Sequence, residues 1–192
     1  MEQISPTITV ISGTEPIPKG FEDSVKIALM GSSDLNPGVE TWQSKFIQGM
    51  ASITSTEPGK GIIMYRGMKF LILNCQSGPV QNPVPTFDNP EFVGKISADL
   101  TYAEAADAIF YNFLKKSVSQ TPLVEFALVV QSGKVVTRSS SDYINYGFVR
   151  TLCERYNTPL LPGATTSVLG VLQTMWSFIP KFQEIQKFKL PE

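Results

Sequence analysis

The order of apolar runs along this chain predicts an α/β domain, a mainly parallel sheet covered by helices on both faces. Three observations carry that expectation. Short β-branched and aromatic runs alternate with longer stretches of helical periodicity from about residue 25 to residue 178. The run Ala108-Ile109-Phe110-Tyr111 is continuously apolar, as a buried strand of a covered sheet should be. The run Val25 to Met30 ends in Gly31-Ser32-Ser33-Asp34 before a helical pattern begins, the usual shape of a ligand-facing turn.

Taken in order, residues 1–24 carry Pro6, Gly13, Pro16, Pro18 and Gly20 among short β-branched runs. They read as an N-terminal appendage, with one edge strand near Ile8 to Ile11, and residues 25–192 as the domain proper. The strand at 25–30 leads to a helix from Trp42 to Ile53, with Trp42, Phe46, Ile47 and Met50 on one face. A hairpin-like insertion is expected at 61–65 and 69–74, the second run being the better core strand. Four prolines between 76 and 90 make that stretch a surface loop, long enough to be a binding loop. Phe92, Ile96, Leu100 and Ala103 keep step in a helix from Glu91 to Ala106. After the strand at 108–111 come a polar loop, Lys115 to Gln120, and an apolar helix containing Glu125. A Gly133-Lys134 break precedes a strand at Val135 to Arg138. Next are a helix from Tyr143 to Tyr156, a short strand at Pro159 to Leu161, and a helix from Thr165 to Phe178. That last helix should be N-capped near Thr165 or Thr166 and ended or kinked by Pro180. Right-handed crossovers would bring the turn at 31–34, the Pro-rich loop and the loop before Glu125 together at the carboxyl ends of the strands.

Composition narrows the chemistry. The 192 residues suit one domain with a sizeable core, and 42% apolar against 17% charged residues argues for a packed fold. A net charge of −1 argues against a general grip on nucleic acid or an anionic membrane. The chain has no histidine, which rules out Ser-His and Cys-His nucleophiles and removes a principal zinc ligand. Cys75 and Cys153 lie in apolar segments without a CxxC pair and read as buried thiols of a reducing compartment. No apolar run approaches the roughly 20 residues needed to cross a bilayer. The start, MEQISPTITV, lacks the pattern of a secretory signal. A soluble, cytoplasmic protein without cofactor or metal is the expectation.

Glu125 is the sharpest single signal. It is a lone acid among Leu123, Val124, Phe126, Ala127 and Leu128, and such a group is costly to bury unless paired or used. The bland alternative is an acid that caps the helix or sits in a salt bridge near its positive end. Asp107 opens a strand and reads either as a satisfied turn carboxylate or as a second acid. The turn at 31–34 matches neither GxGxxG nor GxxxxGK[ST], so it is a plain tight turn or a binding turn of another kind. Lys115, Lys116, Arg138 and Ser139 to Ser141 either face water or hold a phosphate.

Several runs together are similar to the nucleoside 2-deoxyribosyltransferase superfamily, in its phage and bacterial branch. They are Leu29-Met30-Gly31-Ser32-Ser33-Asp34 with Trp42-Gln43, then Ala106-Asp107-Ala108-Ile109, then Thr121-Pro122-Leu123-Val124-Glu125-Phe126-Ala127-Leu128. Gly147-Phe148-Val149 and Cys153-Glu154-Arg155-Tyr156 follow in order, so the resemblance spans about residues 25 to 161. It implies a flavodoxin-like three-layer sandwich with a five-stranded sheet, assembled as homodimers or higher homo-oligomers. It also implies cleavage of the N-glycosidic bond of a nucleoside, nucleotide or ADP-ribose-type compound. Glu125 falls on the family's nucleophile and Asp107 near an acid that helps at the sugar or base. Gly31, Ser32 and Asp34 would line the pocket, with Trp42 or Phe87 stacked on the base. Two departures stand out: Ser119 occupies the place of a loop aspartate, and Phe148 that of an asparagine, with Asn145 nearby but offset.

The chemistry fits the composition. Breaking a C1′–N bond builds positive charge on the sugar, which a carboxylate can stabilise and capture as a glycosyl ester. A second acid protonates the departing base, and an incoming base or water then releases the sugar. The other expectation is a protein that binds and sequesters a nucleotide without turnover, as in conflict between phage and host.

Overall fold

A computed structural model describes residues 7–32, 40–54, 68–75, 88–163 and 166–187. Six strands form one sheet: β1 (Thr7–Ser12), β2 (Val25–Gly31), β3 (Lys69–Asn74), β4 (Ala108–Phe113), β5 (Val135–Ser139) and β6 (Leu160–Pro162). Their spatial order is β1-β3-β2-β4-β5-β6, and every pairing is parallel. Without β1, the five core strands run second, first, third, fourth, fifth, which is the flavodoxin-like order. The order of strands across the sheet reverses between β2 and β4, and the carboxyl ends at such a reversal are where sheets of this kind hold a ligand.

Helices α1 (Trp42–Thr54), α2 (Pro90–Ala105), α3 (Thr121–Val129), α4 (Tyr146–Arg155), α5 (Val168–Phe178) and α6 (Pro180–Lys187) complete the three layers. Period-2 side-chain alternation divides the core in two. Ile109, Tyr111 and Phe113 of β4 pack with Tyr102 and Ala103 of α2, Phe126 of α3 and Val149 of α4. Ala108 and Phe110 face the other way, toward Trp42, Phe46 and Met50 of α1 and Leu172 and Met175 of α5. Because both faces are covered, all six residues of β4 are buried, which is why its first four, Ala108 to Tyr111, are apolar without alternation.

Four expectations are adjusted. The sheet has six strands rather than five, because β1 pairs along its whole length with β3, from Thr7 opposite Lys69 to Ser12 opposite Asn74. Residues 7–24 are therefore joined to the domain instead of hanging from it. Ile17 and Phe21 pack on the core, and the Tyr102 hydroxyl donates to the Glu15 carbonyl at 2.6 Å. The last long helix starts later than 165: Ser167 is its N-cap, its hydroxyl accepting from Gly170 N–H at 3.1 Å. Pro180 does not merely end that helix, since it opens α6 at a first-turn position where its missing N–H costs nothing. The run expected at 61–65 lies outside the described residues.

Candidate active site

Glu125 is the fifth residue of α3, a helix begun by Thr121-Pro122 with proline at a tolerated first-turn position. The helix lays Leu123, Phe126 and Val129 on the sheet and carries Glu125 into the same buried layer, where it is only 6% exposed. Its Oε2 lies 3.4 Å from the hydroxyl of Tyr111 on β4. Its Oε1 has no hydrogen-bond partner among the described residues. Neither the capping nor the salt-bridge alternative holds, since no cation lies in direct contact with it among those residues.

The second acid of the site is Asp99, which sequence reasoning passed over. Asp99 is buried on the inner face of α2 and hydrogen-bonded to the Lys95 ammonium one turn earlier. Its other oxygen finds no N–H or O–H donor among the described residues, and the Cys75 thiol, just past β3, lies beside it. The signal was present in the sequence: Ile96, Asp99 and Ala103 share the 3–4 spacing of the apolar stripe. Glu125, Asp99, Lys95, Tyr111 and Cys75 thus form one electrostatic cluster near the carboxyl ends of β3, β2 and β4.

Burial raises the Glu125 pKa to about 7, and the neighbouring Asp99 charge adds to the rise, against the opposing pull of Lys95 and Tyr111. Burial also raises Asp99, with Lys95 working the other way. Lys95 is itself held charged: desolvation opposes its proton, and Asp99 more than offsets that. Two buried carboxyls, both raised by desolvation, therefore stand beside one cation. Acid–base sites use such an arrangement, and so do structural ion-pair networks.

Asp107 is not part of the cluster. It immediately precedes β4, at the amino edge of the sheet, where its Oδ2 accepts from Lys26 N–H at 2.9 Å and its own N–H donates to Lys26 carbonyl. It is a clamp between the beginnings of β2 and β4, the satisfied turn carboxylate, and its expected catalytic role falls away. The reason is topological: a residue before a strand lies at the edge opposite the ligand crevice.

Gly31 and Ser32 do sit at the crevice, but their groups are spent on closing it. Ser32 is fully buried; its N–H donates to Asn112 carbonyl at 2.9 Å, and its hydroxyl accepts from Leu114 N–H at 3.1 Å. Trp42, 8% exposed, donates its indole N–H to the Ser32 carbonyl at 2.9 Å and sets its ring edge-on against Phe110. It buttresses the turn, and a ring so enclosed has no open face for a base, so the stacking expectation for Trp42 is corrected. Ser119 is half-buried in the loop before α3. Asn145 is half-buried at the start of α4, with its Nδ2 unpartnered among the described residues. Asp34 and Phe87 lie outside the described residues.

Lys115 pairs with Asp142 at 2.5 Å on the exposed surface, the solvated reading of that loop charge. Among the described residues no group of three or more potential metal ligands is assembled, and no helix is long and apolar enough to cross a membrane. The chain matches no protein-family model, and no curated protein matches it.

Proposed function

We propose that the protein acts on the N-glycosidic bond of a nucleoside, nucleotide or ADP-ribose-type compound, with Glu125 as nucleophile. The observation that supports this reading is a buried carboxyl with one oxygen unpartnered among the described residues, beside a second buried acid, near the carboxyl edge of the sheet. In the proposed reaction the Glu125 carboxylate bonds to C1′ as the C1′–N bond breaks and its electron pair leaves with the base. The Lys95–Asp99 pair hands that base a proton. An incoming base or water then bonds to C1′, returns a proton to the pair and frees Glu125. Tyr111 fixes the Glu125 side chain through its hydroxyl and does not touch the substrate. The resemblance to nucleoside 2-deoxyribosyltransferases supports the same assignment for Glu125, and the second acid in this chain is Asp99.

A second copy of the chain is part of the proposal. Val118, Val124, Leu128, Ile144 and Phe148 are large apolar side chains left exposed around α3 and the start of α4. Val124 and Leu128 are one helical turn apart on one face. Replacing both by lysine should leave the fold intact and lower the mass measured by light scattering.

The sequestering alternative draws on the Glu125 pKa of about 7, since a carboxyl largely protonated below neutrality is a poor nucleophile there. One experiment separates the two. Incubation with nucleosides, nucleoside monophosphates and NAD-type compounds at pH 8 should release free base, and Glu125→Ala should stop the release while the ligand still binds. Binding by both proteins with no base released by either would establish the sequestering reading instead.

A further inference from the structure

We propose that Arg138, Asn112 and the first turn of α5 form a binding site for a phosphate group, on the face of the sheet opposite Glu125. Arg138 belongs to β5 near its carboxyl end, and its guanidinium is partly buried. It donates from Nε to Asn112 Oδ1 at 2.9 Å and from Nη1 to the Thr166 carbonyl at 3.2 Å, and it lies 5.4 Å above the Phe110 ring centre. Each of these partners is neutral. Among the described residues no carboxylate pairs with Arg138. Burial pulls its pKa down, with no charged neighbour contributing among the described residues, yet an arginine stays protonated. A desolvated cation without a counter-ion is a costly element to retain.

The surroundings make the charge harder to hold without an anion. The Thr166 carbonyl immediately precedes Ser167, the N-cap of α5, so the guanidinium meets the positive end of an 11-residue helix. No acid occupies the first turn of that helix to offset it. Asn112 adds an independent sign. It is 2% exposed, its Oδ1 is engaged by Arg138, and its Nδ2 donor has no partner among the described residues. A guanidinium fork, a buried amide donor and a helix N-terminus together call for a negatively charged group with several acceptor oxygens, and a phosphate supplies these. Asn112 also lies directly across from Gly31 at the crevice where the strand order reverses, the usual ligand position in such sheets.

The test is titration calorimetry and thermal unfolding at fixed ionic strength, using inorganic phosphate, a nucleoside 5′-monophosphate and the matching nucleoside. Saturable binding of either phosphate-bearing probe, weakened about tenfold to a hundredfold by Arg138→Gln, is expected from the loss of charge-assisted hydrogen bonds. Orthophosphate binding as tightly as the monophosphate would identify a free-phosphate site. A monophosphate binding far better than both orthophosphate and nucleoside would identify a phosphate carried on a ligand. Asn112→Asp gives Arg138 an internal carboxylate of the same shape. It should raise the melting temperature without anion and abolish the phosphate-dependent rise, which keeps the test decisive even if Arg138→Gln fails to fold. Glu125→Gln should bind phosphate as wild type does, so the site stands or falls apart from the N-glycosidic proposal. The proposal is overturned if neither phosphate probe binds at millimolar concentration, or if Asn112→Asp binds as tightly as wild type.

Discussion

The Tyr111 hydroxyl has one proton and two acceptors: the Pro122 carbonyl at 2.5 Å and Glu125 Oε2 at 3.4 Å. The two acceptors compete for that proton, the carbonyl at the shorter distance and the carboxyl at the longer. When Glu125 ionises, the phenol proton is drawn toward it, and the carbonyl contact weakens. Tyr111→Phe removes this exchange. Glu125 loses a group that lowers its pKa, so the acidic limb of the rate profile should move to higher pH. The Pro122 carbonyl loses a side-chain donor, and the fold should lose about 1 kcal/mol. A pH–rate profile and a urea titration of the variant check both outcomes.

Glu125 makes stability depend on pH in a direction unusual for a carboxylate. Its folded-state pKa, about 7, is above its ordinary 4.5, so the folded protein holds this proton more tightly than the unfolded chain does. Its contribution is fully present below about pH 4.5 and is lost as pH rises through 7. The shift is worth about 3 kcal/mol as an order of magnitude. Glu125→Gln keeps the shape and removes the titration. The variant should match wild type near pH 5 and be more stable by up to roughly that amount at pH 8. Urea midpoints for the two proteins at pH 5, 6, 7 and 8 should separate steadily; a gap that stays constant contradicts the assignment.

Asp99→Asn tests the second acid. Removing its charge takes away a repulsion that raises Glu125 and leaves Lys95 unopposed, so the Glu125 pKa should fall below 7. Turnover should drop by about a hundredfold or more, the range for a positioned proton donor, while its acidic limb shifts to lower pH. A limb that stays in place would contradict the electrostatic coupling of Asp99 to Glu125, and a shifted limb with turnover retained would remove Asp99 from the role of proton donor. Asp107→Asn should leave the profile in place, because its carboxylate sits at the amino edge.

How far these features could be read from the sequence follows from their physics. The runs of β2, β3, β4 and β5 were plain because burial on both faces keeps most of their positions apolar, whereas Asn112 and Arg138 interrupt that pattern at the carboxyl ends. Glu125 stood out for the same reason, as a charge inside an apolar run. Lys95 and Asp99 did not, since an i,i+4 pair on a helix normally faces water, and only packing against Cys75 and the sheet shows this one to be buried. Asp107 kept two readings because an acid at a helix–strand junction looks alike at either edge until strand direction is considered. The edge pairing of β1 was half legible: its β-branched run signalled a strand, whereas its parallel partner 62 residues away carried no local sign.

Gly31 provides the sharpest test of the crevice. Its φ of +127° lies where L-residues are strained, and a Cβ there would stand 2.2 Å from the Asn112 carbonyl oxygen. That oxygen cannot step aside, because it belongs to the central strand and accepts from Ser32 N–H. Relief requires prying β2 from β4 where the two strands are joined. Gly31→Ala should therefore cost about 3 kcal/mol or more. Gly20→Ala is the control: its φ is +87°, but nothing lies within 4 Å of the added atom, so it should cost only about 1 kcal/mol from backbone strain. Urea unfolding of the two variants measures the difference. Equal losses would mean that backbone conformation alone matters at Gly31 and that the close approach of the two strands does not. A larger loss for Gly31→Ala than for Gly20→Ala, together with weakened phosphate binding, would tie the geometry of this turn to Asn112.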